Sequence, residues 1–171
     1  SQRRIVTLVD LLALQGALGA LAQALALADS TRASVVLLHI ALGGFKHIND
    51  NFGHRAGDAL LKCVARRLRA VGPPHRVARL GGDEFLVLLM NPKGRANARR
   101  VATALQQEIA RPMNIDGVER IVGASIGVAL YPSDGTAVDQ LVELADTAMY
   151  RAKKGGAGCV LYGSETPEPT G

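Results

Sequence analysis

The residues best suited to chemistry lie in one short run, Arg79-Leu80-Gly81-Gly82-Asp83-Glu84-Phe85, where two adjacent carboxylates follow two adjacent glycines. Residues 85–90 are apolar, rich in branched side chains and too few for a typical helix, so they read as a buried strand. Residues 77–80 read as its partner. Between them Gly81-Gly82 is a two-residue hairpin signal, because glycine takes positive φ without steric cost. A turn at that point is expected to hold Asp83 and Glu84 clear of the core. Two acids on a rigid hairpin suit a divalent cation, or a proton acceptor beside one. A solvated surface turn has the same local sequence, so the window alone does not decide.

The elements that must position this hairpin follow from the rest of the chain. Residues 11–28 are almost wholly Leu and Ala, good helix formers, and read as a helix packed on most sides. Residues 34–40 read as a central strand, apolar on both faces. His39 within it is of the kind that a core usually satisfies rather than a ligand. Ala41-Leu42-Gly43-Gly44-Phe45-Lys46 comes next, where a strand gives way to a helix through two glycines. That geometry can offer free backbone N–H groups to phosphate oxygens.

Leu61, Val64, Leu68 and Val71 follow helical spacing, so residues 57–71 form an amphipathic helix closed by Gly72-Pro73-Pro74. Residues 93–111 read as a polar-faced helix with Val101, Leu105 and Ile109 towards the core, stopped by Pro112. Residues 113–121 read as a hairpin around Asp116-Gly117, and 121–129 as a further strand. Thr136 and Asp139 resemble a capping box, ahead of a helix buried through Leu141, Leu144, Ala145, Ala148 and Met149. Its last turn carries Arg151, Lys153 and Lys154, where the helix dipole favours cations. Residues 160–162 close as a short strand. The pattern predicts an α+β domain with a central, mostly antiparallel sheet flanked by helices. Its bounds are read as 1–163, with 164–171 a linker or cut end.

A chain of 171 residues, 48% hydrophobic and 20% charged, has the balance of one globular domain. No apolar run is long enough to span a bilayer and no basic-then-apolar leader opens the chain, so a cytoplasmic domain without membrane contact is expected. Cys63 and Cys159 lie far apart without metal-site spacing and read as free thiols. A formal charge of +5 favours anionic partners such as nucleotide phosphates. Arg66, Arg67, Arg99 and Arg100 read as solvated helix faces. Three Phe and three Tyr scattered along the chain offer no stacking platform for nucleic acid.

Residues 79–85 resemble the signature of the GGDEF family, the diguanylate cyclases that join two GTP molecules into cyclic di-GMP. Three further stretches match in order: Phe45-Lys46-His47-Ile48-Asn49-Asp50 with Gly53-His54 and Gly57-Asp58; Ser125-Ile126-Gly127-Val128-Ala129; and Ala145-Asp146 with Ala148-Met149-Tyr150 and Ala152-Lys153. The resemblance covers about residues 10–162. It implies a palm-like βαββαβ core as in nucleotide cyclases, and a homodimer across the active site. It also implies Mg²⁺ or Mn²⁺ held by Asp83, the Leu42 carbonyl and Glu84, with Asp83 and Glu84 as the catalytic acids.

For the nucleotide it implies Asn49 and Asp58 as guanine readers, Phe45 and Leu61 as apolar walls, Lys46, Gly81 and Gly82 as further contacts, and Lys153 on the triphosphate. The guanine roles fit the chemistry: an amide offers donor and acceptor, and a carboxylate accepts from the N1–H and N2–H₂ edge. Adenine would leave those groups unpaired.

The chain also departs from the family pattern. Ala13, Leu14 and Gln15, then Ala17-Leu18, replace its usual opening. Ala41 and Gly43 replace the two aspartates before Phe45-Lys46, the first of which binds metal. Ala157 replaces an arginine of the phosphate clamp. Gly72 and His75 replace the Arg and Asp of a product-inhibition site, so feedback through that site is not expected.

Two readings stay open. One is a cyclase that condenses two GTP with pyrophosphate release where two domains meet. The other is a catalytically degenerate domain that binds GTP or cyclic di-GMP in the same pocket and regulates a neighbouring sensory or output domain.

Overall fold

The computed structural model describes residues 8–70, 75–90, 94–155 and 158–161. Along the chain run α1 (Leu8–Thr31), β1 (Val35–Leu42), α2 (Phe45–Phe52), α3 (His54–Ala70), β2 (His75–Gly81) and β3 (Glu84–Met90). They are followed by α4 (Gly94–Ile109), β4 (Met113–Ile115), β5 (Val118–Arg120), β6 (Ala124–Tyr131), α5 (Val138–Lys154) and β7 (Gly158–Leu161). The apolar β1 is buried along its whole length and takes the centre of a five-stranded sheet, in the order β2-β3-β1-β6-β7. β1 pairs antiparallel with β3 and β6, β2 pairs antiparallel with β3, and β7 joins β6 in parallel. The expected α+β class and mostly antiparallel sheet are what is found, with β4 and β5 as a separate hairpin.

Alternation along β1 sorts the core into two layers. Val36, Leu38, Ile40 and Leu42, with Phe85 and Val87 of β3, pack on the side of α3 and α4. Val35 and Leu37, with Leu86 and Leu88, pack on the side of α1 and α5. Gly127 of β6 lets α5 lie directly on the sheet: a Cβ there would stand 2.0 Å from the Ala145 carbonyl oxygen and 2.2 Å from the Met149 nitrogen. Tyr131, also on β6, donates its hydroxyl to Asp29 Oδ1 of α1 at 3.3 Å. Burial, then the Asp29 carboxylate, push this phenol above its ordinary value of 10.0.

Several local expectations need correction. α1 extends past both expected ends, and over residues 15–31 it buries one face, through Ala17, Leu21, Ala24, Leu25 and Ala28, while Leu27 is exposed. A Leu and Ala sequence has no polar side to mark the outer face, and alanine costs little there. The capping box of Thr136 and Asp139 does not form. α5 begins at Val138 with Ala137 as an N-cap lacking a side-chain bond, and the Thr136 N–H donates to Gln140 Oε1 at 3.3 Å.

Arg67 is not a solvated face residue. Its guanidinium donates to the carbonyls of Glu108, Ile109, Arg111 and Pro112, where the end of α4 leaves acceptors without helical partners. Arg66, Arg99 and Arg100 are exposed as expected. Asp116 and Gly117 both take positive φ, 53° and 80°, as the hairpin signal requires.

Cys63 is a half-buried free thiol. The Cys159 side chain, Gly72, Ala157, Tyr162 and residues 164–171 lie outside the described residues. No helix among the described residues is long and apolar enough to cross a membrane.

Candidate active site

The acidic hairpin is built differently from its sequence expectation. Gly81 pairs with Glu84 across the ladder, so the central residues of the turn are Gly82 and Asp83, one position later than Gly81-Gly82. A register shift between Arg79 and Gly81 accommodates this, with φ of 112° at Gly81 and 55° at Gly82. The first value lies where side chains are rarely tolerated, which is why glycine is needed there. Arg79 fastens the turn by donating from Nε and Nη2 to the Gly82 carbonyl at 3.2 and 3.0 Å. The Leu42 N–H donates to the Asp83 carbonyl at 3.0 Å, tying the end of β1 to the turn.

The shift separates the two acids. Asp83 stays in the turn, whereas Glu84 is the first residue of β3 and pairs with Ala41. Successive strand residues face opposite ways, so Phe85 joins the α3 side and Glu84 turns to the α5 side. There Glu84 Oε1 lies 2.6 Å from His39 Nε2. His39 is therefore satisfied at one ring nitrogen only: its Nδ1 is buried without a hydrogen-bond partner, 3.5 Å from Asp146 Oδ1.

On the α3 side a cleft of about 400 Å³ opens between α3 and the hairpin. Asp58, Leu61, Lys62 and Arg69 of α3 line it, with Arg79 and Phe85 opposite. Asn49 and Phe45 of α2 fold over the start of α3 at Gly57: a Cβ on Gly57 would fall 1.8 Å from Asn49 Oδ1 and 3.2 Å from Phe45 Cε2. Gly57 thus lets the Asn49 amide rest against α3 one residue before Asp58. Asn49 Oδ1 is buried and has no hydrogen-bond partner. An acceptor left open in this way costs stability unless something donates to it. An open acceptor, a carboxylate, apolar walls and several cations suit a flat, donor-bearing base joined to an anion.

Of the expected nucleotide residues, Asp58 and Leu61 line this cleft; Phe45 and Asn49 pack at Gly57 beside Asp58 without lining it, and Gly81, Gly82 and Asp83 belong to the adjoining hairpin. Lys46 and Lys153 are exposed and do not line the cleft. Sequence reasoning missed Lys62 and Arg69, although Asp58, Leu61, Lys62, Ala65 and Arg69 follow one helical stripe. It also missed the contact of His39 with Glu84, for which the signal was that His39 and Ala41 share a face of β1.

Residues 10–159 match the family described as "Diguanylate cyclase, GGDEF domain". The chain belongs to the GGDEF family. It is 46% identical over 132 residues to the bifunctional diguanylate cyclase/cyclic di-GMP phosphodiesterase MucR of Pseudomonas aeruginosa, covering 77% of this chain and 19% of MucR. With the diguanylate cyclase TpbB of the same species it shares 39% identity over 142 residues, 82% of this chain and 33% of TpbB. The crystal structure of the TpbB GGDEF domain superposes with a TM-score of 0.80 at 38% identity, covering 85% of this chain and 92% of that one. The chain therefore spans a third or less of the length of these two curated relatives.

Proposed function

We propose that this GGDEF domain binds GTP in the cleft between α3 and the hairpin and joins two GTP molecules into cyclic di-GMP. The observation that carries the proposal is the buried Asn49 Oδ1, which has no hydrogen-bond partner, held against α3 next to Asp58. Guanine brings N1–H and N2–H₂ donors to such a pair, and adenine does not. Phe45 and Leu61 give the base its apolar contacts. Lys62, Arg69 and Arg79, with the exposed Lys46 and Lys153, supply positive charge for the triphosphate.

The donor set fits Mg²⁺ or Mn²⁺, with reduced protein ligation. Asp83 and the Leu42 carbonyl are hard oxygen donors on residues whose backbones are hydrogen-bonded to each other. Ala41 brings no donor, and one Glu84 oxygen is engaged with His39 on the α5 side. Magnesium tolerates one or two carboxylates when water and substrate phosphates fill the remaining positions. When bound, the ion neutralises charge on the phosphates.

For each bond formed, the ribose 3′ oxygen of one GTP joins the α-phosphorus of the other. The hydroxyl proton passes to a hairpin carboxylate, Asp83 or Glu84, and the bond to pyrophosphate breaks. Each domain holds one GTP, so a second copy must face the first, and dilution slows the reaction. In the cell, flanking sensory or output domains of a longer protein would govern this pairing, with the GGDEF domain in the cytoplasm, where GTP is supplied.

A second reading has one observation in its favour: Ala41 and the His39–Glu84 contact leave the metal poorly held. On that reading the domain binds guanine nucleotide and regulates its neighbour without turnover. Incubation of concentrated protein with GTP and Mg²⁺ or Mn²⁺, with Asp83→Ala as the blank, separates the two. Cyclic di-GMP above the blank supports the cyclase, and Ala41→Asp then raises the yield. No product, with GTP bound more tightly than ATP, supports the regulator. Equal affinity for ATP and GTP overturns both.

A further inference from the structure

We propose a separate cation site on the α5 face of the sheet, where His39 Nδ1 and Asp146 bind a zinc-class divalent metal ion and Glu84 fixes the imidazole. His39 is 4% exposed and is the one buried polar or charged residue among those described. Its Nε2 meets Glu84 Oε1 at 2.6 Å, a bond that fixes the plane of the ring and turns Nδ1 towards α5. Nδ1 is buried without a hydrogen-bond partner, 3.5 Å from Asp146 Oδ1. A cation bound between that nitrogen and the carboxylate would satisfy both. A tetrahedral ion with ligands at about 2.0–2.1 Å holds any two of them roughly 3.3 Å apart, close to the separation present.

The three residues each place a ligand atom within 4.8 Å of the other two. A carboxylate on the far nitrogen of a ligating histidine is the usual way such a ring is oriented. One nitrogen and one oxygen donor favour zinc-class metals over Mg²⁺, which prefers oxygen alone. The Asp146 side chain is 58% exposed, so water can complete the coordination shell and the ion has a route in.

Local sequence explains why the site exists. Ala41, the cross-strand partner of Glu84, presents only a methyl group and leaves Glu84 to His39. Gly127, the cross-strand partner of His39, brings the α5 backbone at Ala145 onto the sheet, and Asp146 is the next residue. The site lies on the opposite face from the α3 cleft but shares Glu84 with the hairpin given to the cyclase reaction, so its test is run without nucleotide and read at His39 and Asp146.

The test is a titration of the metal-free 171-residue chain with Zn²⁺ in the absence of nucleotide. It is read by calorimetry, by metal content after gel filtration and by ¹⁵N NMR of the His39 ring. We expect one zinc per chain, affinity weakened by about tenfold or more in Asp146→Asn and His39→Gln, and affinity retained in Asp83→Asn. The Nδ1 resonance should move on zinc addition. Asp146→Asn changes an exposed side chain, so it keeps the test decisive if His39→Gln fails to fold. Absence of zinc binding, or equal affinity in Asp146→Asn, overturns the proposal. So does a ring protonated on both nitrogens and unmoved by zinc, which would mark an ion pair instead.

Discussion

Gly57→Ala separates a binding role for Asn49 from a packing role. A Cβ at residue 57 would lie 1.8 Å from Asn49 Oδ1 and 2.8 Å from its Cγ, about 1.6 Å inside the 3.4 Å at which ordinary contact begins. The Asn49 amide must swing away, and Phe45 Cε2 at 3.2 Å must give slightly. Alanine within a helix gains about 0.5–1 kcal/mol over glycine, which offsets part of the steric cost, so thermal stability should move little. Loss of the Asn49 hydrogen bond to guanine costs roughly 1–1.5 kcal/mol, or about tenfold in affinity. Titration with fluorescent GTP and ATP analogues beside a thermal melt reads both quantities. GTP should weaken by about tenfold, ATP should change little, and the GTP preference should shrink. Unchanged GTP affinity in a folded variant would refute the role given to Asn49. Equal losses for both nucleotides would do the same.

Three further outcomes test the framework. Gly127→Ala drives a methyl into the α5 backbone and should cost about 3 kcal/mol in urea unfolding; a loss within about 0.5 kcal/mol would mean that α5 does not lie where described. Arg67→Ala leaves the carbonyls at the end of α4 without their donor and should cost about 2 kcal/mol, with faster amide exchange in the last turn of α4. The raised Tyr131 phenol contributes stability that is present below pH 10.0 and lost as pH rises beyond it, because the unfolded chain releases that proton first. Tyr131→Phe should flatten this alkaline decline, and an unchanged profile would assign the decline to other groups.

How much was legible in the sequence varied with the length scale of the cause. Strands such as β1 and β3 were plain, because a short run of branched apolar residues beside a glycine pair has few other uses. The Asp116-Gly117 hairpin was equally plain, since its positive φ values demand those residue types. The turn at Gly82-Asp83 was misplaced by one residue, because the register shift after Arg79 depends on cross-strand pairing. That slip matters: it sends Glu84 to His39 instead of leaving it beside Asp83.

Asn49, Asp58 and Leu61 are proposed from family spacing; the contact that sets Asn49 beside Asp58 depends on Gly57, where α2 meets α3, and no spacing reveals it. Arg67 was misread because its acceptors lie more than forty residues away, at the end of another helix. His39 was read as satisfied because one strand cannot reveal which helix residue approaches a ring nitrogen.

The most direct test is a crystal structure of the chain grown with GTP. We expect the purine edge to lie within hydrogen-bonding distance of Asn49 Oδ1 and the Asp58 carboxylate, with the phosphates running towards the Gly82-Asp83 turn. A purine seated elsewhere, with Asn49 Oδ1 still lacking a donor, would contradict the assignment of this cleft to guanine.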